Sequence, residues 1–103
     1  MVYNINLQDI ADKLDFDLED VEMLMEVFIE TVNESLESLK NAIDANNLED
    51  IYRSSHAIKG SAANLTLTNI AEIAKDIEEQ SRNNNNINYL EKYKSLKVLI
   101  SEL

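Results

Sequence analysis

Residues 17–45 read DLEDVEMLMEVFIETVNESLESLKNAIDA, and their spacing decides the fold. Val21, Met25, Phe28, Val32, Leu36, Leu39 and Ile43 recur at intervals of three and four, which places them on one stripe of an α-helix with carboxylates around the rest. Asp17 stands where a side chain can cap free backbone amides, with Glu19 and Asp20 in the first turn. Met25 and Phe28 belong to the core stripe, whereas Met23 and Ile29 lie off it, which leaves both core packing and a partner groove open for them. A long helix with one apolar face must bury that face against others.

The flanking sequence supplies them. Upstream, Asn6 is a candidate N-cap, with Asp9 in the first turn, for a short helix that turns Ile10, Ala11 and Leu14 inward. Downstream, an Asn46-Asn47 break precedes a helix capped by Asn47 and running to Asn64 or Leu65. A further helix starts near Thr68 or Asn69, with Asn69 and Glu72 at capping-box spacing and Ile70, Ile73, Ala74 and Ile77 toward the core. Asn83 to Asn86 interrupt the pattern, and a last helix runs from about Ile87 to Glu102 with Tyr89, Tyr93, Leu96 and Ile100 on one face. Short connections make successive amphipathic helices antiparallel neighbours. The expected fold is all-α, an antiparallel up-and-down four-helix bundle with a short additional N-terminal helix, residues 1–103 forming a single domain.

Composition narrows the function. With no proline and one glycine, almost nothing breaks a helix. A net charge of -11 with no dense cationic patch argues against nucleic acid as a partner and disfavours an anionic membrane surface. The absence of cysteine removes disulfides, thiolate catalysis and thiolate metal sites. The N-terminal stretch MVYNINLQDIADKL has neither the basic start nor the apolar core of a secretory signal, and no window approaches a membrane span. A cytoplasmic location without membrane insertion is the expectation.

The only histidine, His56, lies in the run Ser55-His56-Ala57-Ile58-Lys59-Gly60-Ser61-Ala62-Ala63-Asn64-Leu65. Leu48, Ile51, Ser55, Ile58, Ala62 and Leu65 share one stripe of that helix, and His56 falls roughly 130° from its centre, facing outward beside Tyr52, Lys59, Gly60 and Ala63. Glycine inside a helix costs roughly 1 kcal/mol relative to alanine, so Gly60 one turn after the ring points to a need for clear space. Lys59 sets a cation where a phosphoryl group on the ring would sit. A histidine, a cation and an uncluttered approach together point to reversible phosphorylation of His56.

The same run, His56-Ala57-Ile58-Lys59-Gly60-Ser61-Ala62-Ala63-Asn64-Leu65, resembles the signature of histidine-containing phosphotransfer (HPt) domains. The likeness extends to Phe28-Ile29-Glu30 and to Leu36, Leu39, Ala42 and Leu48. It departs at Thr66, where the family commonly has a helix-ending glycine. The resemblance implies that His56 is phosphorylated at Nε2 by a receiver-domain aspartyl phosphate and passes the group to another receiver domain. It implies that Lys59 stabilises the phosphoryl group and that Gly60 keeps the ring accessible. The implied system is a phosphorelay in two-component signal transduction, with response-regulator receiver domains, a hybrid histidine kinase, or both as partners. No cofactor is expected in this chain, magnesium belonging to the partner receiver domain.

Tyr52, Arg53, Ala63 and Asn64 are the expected docking contacts, with Leu36 to Lys40 of the long helix alongside. The many carboxylates read as solvated helix faces that tune partner choice. The competing readings are a bundle that docks a receiver or kinase without being phosphorylated, and an excised module of a hybrid sensor or chemotaxis kinase. Enzymatic alternatives find no support: Arg53 occupies the position where a Glu-x-x-His metal pair needs its glutamate, there is no second histidine, and no glycine-rich phosphate loop exists for autonomous kinase activity. A monomer is expected.

Overall fold

The computed structural model describes residues 3–103, which form five α-helices: α1 (Leu7–Leu14), α2 (Leu18–Asp44), α3 (Leu48–Asn64), α4 (Thr68–Arg82) and α5 (Tyr89–Ser101). Each of α2 to α5 contributes one apolar stripe to a common core. From α2 come Val21, Met25, Phe28, Val32, Leu36 and Leu39; from α3, Ile51, Ile58 and Ala62; from α4, Ile70, Ala74 and Ile77; from α5, Tyr89, Tyr93, Leu96 and Ile100. The helices neighbour one another in a ring, α2 on α3, α3 on α4, α4 on α5 and α5 back on α2, as an up-and-down four-helix bundle requires. The 27-residue α2 outruns its neighbours, and α1 packs on it, burying Ile10 and Ala11.

Local signals act at the ends. Asn6 accepts from the amides of Gln8 and Asp9, Asn47 from Asp50 and Asn88 from Glu91, each removing an unpaired donor from a helix start. Two expected caps differ. Asp17 occupies the cap position of α2 without a side-chain bond to the amides, and Leu67 holds that position before α4. The connection from α3 is so short that Asn69 already lies inside α4, which leaves the Asn69–Glu72 box unformed. The last helix begins at Tyr89 and ends at Ser101, a little inside the expected bounds. At the end of the α2 stripe Ala42 is buried and Ile43 only half-buried, and Ile73 is half-buried beside the groove between α4 and α5. Lys92 bridges that groove with a 2.6 Å contact to Asp76, and this hydrogen bond holds the Asp76 carboxyl below the usual carboxylate range against a smaller opposing effect of burial.

Four helices end with a residue in the left-handed region, and none of the four is glycine: Asp15, Asn46, Thr66 and Asn84, with φ between 52° and 58°. At the end of α3 the amide of Leu67 reaches the carbonyl of Ala62 (2.9 Å) and that of Thr66 the carbonyl of Ala63 (3.0 Å), the paired bonds of a Schellman motif. Thr66 thus keeps the turn that glycine would make, with a β-branched side chain in a disfavoured conformation. Its hydroxyl is buried and has no hydrogen-bond partner among the described residues. Thr66→Gly is therefore expected to stabilise the protein by about 1 kcal/mol and to raise the midpoint of thermal unfolding by about 4 °C; a lowered midpoint would show that the threonine side chain contributes more than its backbone strain removes.

Candidate functional site

His56 lies midway along α3, outside the buried stripe of Ile51, Ser55, Ile58 and Ala62, and its side chain is 60% exposed. The ring is nevertheless anchored. Its Nδ1 is hydrogen-bonded to Oε2 of Glu78 on α4, whose side chain is only 5% exposed. The other oxygen, Oε1, accepts from Lys59 Nζ at 2.8 Å. One buried carboxylate therefore joins the histidine and the lysine.

The chemistry of the contact determines the tautomer. A carboxylate only accepts, so Nδ1 carries the proton and the neutral ring leaves its lone pair on Nε2, the nitrogen away from Glu78. Burial pushes the Glu78 carboxyl up, but the hydrogen bonds from Lys59 and His56, aided by their charges, outweigh it, and the group ionises below the usual carboxylate range. The two neighbouring buried polar groups are satisfied within their own helices: Ser55 donates to Ile51 and Ser81 to Ile77.

The remaining expected residues take distinct places. Tyr52, one turn before His56, lies against its ring with centroids 5.9 Å apart and planes at 18°. Gly60, one turn after, is exposed, and a methyl group added there would meet nothing within 4 Å, so packing inside the chain gives no reason for glycine. Arg53 points along its own helix, bonded to Glu49 at 2.6 Å with Asp50 at 3.8 Å. Ala63 is exposed, and Asn64 lines a groove of about 380 Å³ with Leu14, Phe16, Leu24, Val27 and Ser61. Met23 and Val27 are exposed nearby, at 65% and 62%, whereas Ile29 packs against the core. The Leu36 to Lys40 stretch offers no such apolar surface, because Leu36 and Leu39 are buried and Lys40 is paired with Asp44. The exposed apolar part of α2 lies nearer its N-terminus than expected.

A family model described as Hpt domain matches residues 23–103. The chain belongs to the Hpt domain family. No curated protein and no solved structure matches it. Hpt domains serve histidine phosphotransfer in phosphorelays and interact with receiver domains or kinases. In this Hpt domain the match begins within α2, so α1 and Phe16 lie outside it. No helix among the described residues is long and apolar enough to cross a membrane.

Glu78 is the residue that sequence reasoning missed when it assigned the carboxylates to solvated faces. A signal existed. Glu78 lies roughly 90° from the centre of the Ile70, Ile73, Ala74 and Ile77 stripe, at the border between core and solvent, and Ser81 prolongs that stripe with a second polar residue. Its two bonds also make a test. The folded-state pKa of Glu78 is lowered, so its contribution to stability is present at neutral pH and is lost as pH falls through the folded-state value. Glu78→Gln removes that contribution, because an amide has a single acceptor oxygen for two donors. The variant is expected to be about 1–2 kcal/mol less stable at pH 7, with the gap closing as pH falls below the usual glutamate range; a gap that widens on acidification would show that Glu78 is not held as the ionised form.

Proposed function

We propose that this Hpt domain is a phosphorelay intermediate in two-component signal transduction, which takes a phosphoryl group from the aspartyl phosphate of one receiver domain and delivers it to the aspartate of another. The observation that carries the reading is the Nδ1 bond to Glu78, which leaves the lone pair of Nε2 free on the exposed side of the ring. In transfer, that lone pair attacks phosphorus in line with the leaving carboxylate oxygen. The Nε2–P bond forms, the acyl O–P bond breaks, and the receiver recovers its aspartate. The imidazole ring becomes cationic, its proton staying on Nδ1 and donated to the Glu78 carboxylate in a stronger hydrogen bond than the neutral ring makes. The reverse step returns the electron pair of the Nε2–P bond to the ring and passes phosphorus to the next aspartate.

Lys59 supports both directions. Its ammonium has three donors and uses one on Glu78, so it can face the phosphoryl oxygens without leaving its carboxylate. Transfer of this type depends on position and charge more than on covalent catalysis, and the receiver brings the magnesium. The chain needs no cofactor of its own and has no autonomous kinase activity. Gly60 clears the approach to the ring, and the receiver covers Ala63 and Asn64 and extends over the groove at Leu24 and Val27. Arg53 reaches the partner once its contacts with Glu49 and Asp50 are exchanged. The domain acts in the cytoplasm as a monomer.

A receiver domain charged with phosphate is expected to label the protein with an acid-labile, base-stable phosphate that His56→Gln abolishes. Binding of that receiver without labelling would establish a docking bundle instead, and label persisting in the variant would place the phosphate elsewhere. Lys59→Ala should slow labelling roughly tenfold and, because it leaves the buried Glu78 carboxylate with one donor, lower stability by about 1–2 kcal/mol in a protein that stays folded. Gly60 separates access from stability: Gly60→Ala should raise stability by about 0.5–1 kcal/mol, and Gly60→Phe should block labelling in a folded protein. Unfolding of Gly60→Phe with destabilised Gly60→Ala would make Gly60 a packing residue.

A further inference from the structure

We propose that Tyr52 is a positioning residue for phosphoryl transfer: its aromatic ring, stacked on the imidazole, holds His56 in the one orientation that keeps Nδ1 on Glu78 and Nε2 directed at the partner. This role rests on the phosphotransfer reading above and differs from a docking role for Tyr52.

Helix direction brings the two rings together. Side chains lean toward the N-terminus of their helix, so His56 leans back over Tyr52, four residues earlier, and away from Gly60, four residues later. The rings lie nearly parallel, 18° between planes, with centroids 5.9 Å apart, within the range of offset stacking. Tyr52 is itself half-buried, which restricts its own ring and makes it a firm surface.

A hydrogen bond at Nδ1 fixes one point of the imidazole and leaves the ring free to swing about that contact. A surface against one face removes the swing. The restraint also applies in the phosphorylated state, where the cationic ring keeps its Nδ1 bond to Glu78 while the phosphoryl group adds bulk and charge at Nε2 that a ring held at one point only would swing to accommodate. The electron-rich face of Tyr52 also favours a cationic imidazole beside it. On the opposite side Gly60 contributes no side chain, so the restraint is one-sided and the path from Gly60 and Asn64 stays open.

The test uses the intact chain and whichever isolated receiver domain, charged with acetyl phosphate and magnesium, labels the wild-type protein. Tyr52→Ala and Tyr52→Leu are expected to lower the maximal transfer rate about fivefold, with the half-saturating receiver concentration unchanged within twofold. Tyr52→Phe is expected to restore the rate, since the stack needs the ring and not the hydroxyl. The imidazole proton resonances of His56 should lose their ring-current shift in the Ala and Leu variants and keep it in Phe. A higher half-saturating concentration at unchanged maximal rate would make Tyr52 a docking contact, and failure of Phe to restore the rate would assign the effect to the hydroxyl. Either outcome, or equal rates in all variants, overturns the proposal while leaving the phosphotransfer reading intact. A wild-type chain that no receiver labels overturns that reading itself, and the ring-current comparison then reports on the stack alone.

Discussion

The site depends on how closely α3 and α4 pack. No other pair of helices in the bundle is in such extensive contact. Their buried faces explain it: Ser55, Ala62, Ala74 and Ser81 are small, and small side chains let backbones come near. The two serines lodge there at little penalty because each returns its hydroxyl to its own helix. Larger residues at those positions would hold the helices apart, and Glu78 would no longer span from α4 to both His56 and Lys59. The chemistry of an exposed ring is thus set by the packing of a core that the ring does not enter.

Much of this was legible in the sequence, for reasons that differ by residue. The α2 stripe from Val21 to Leu39 was readable because apolar residues at a period of 3.6, sustained over many turns, suit an amphipathic helix and no strand. His56 was readable because it is unique and lies far from the stripe of its helix. Glu78 was not, since a carboxylate at the border of a stripe looks like its solvated neighbours until the partner helix is in place; its meaning comes from Lys59, nineteen residues away in sequence and 2.8 Å away in space. The helix boundaries were legible to within a residue or two, but not all of the devices that make them: Leu67 precedes α4 with no capping side chain, and Asp15, Asn46, Thr66 and Asn84 follow their helices in the left-handed conformation where glycine is the usual signal.

Those four ends bear on the single glycine. Among the described residues the backbone has four positions where glycine would relieve a left-handed conformation, and Gly60 occupies none of them. It stands instead in the middle of α3 with ordinary helical geometry, where any other residue except proline would favour the helix more. Nothing within the chain crowds that position. A residue placed against its own conformational preference, with no internal contact to justify it, is best accounted for by a surface that comes from outside.

Geometry and charge both require the anchor of the ring to be a carboxylate. Nδ1–H and the Lys59 ammonium are both donors, and they meet on one side chain. Two acceptor oxygens satisfy both at once. An amide in that place offers one acceptor and an NH₂ group, so either Lys59 loses its acceptor or Nδ1 faces a donor and the ring must shift its proton to Nε2. The second result would occupy the nitrogen that the exposed side of the ring presents. Charge adds to geometry: burial alone would drive the Glu78 proton on, and the two donors keep it off. In a chain of net charge -11 most carboxylates are interchangeable solvent-facing groups, and Glu78 differs from them because its ionisation, its two contacts and the identity of the free imidazole nitrogen are one coupled condition.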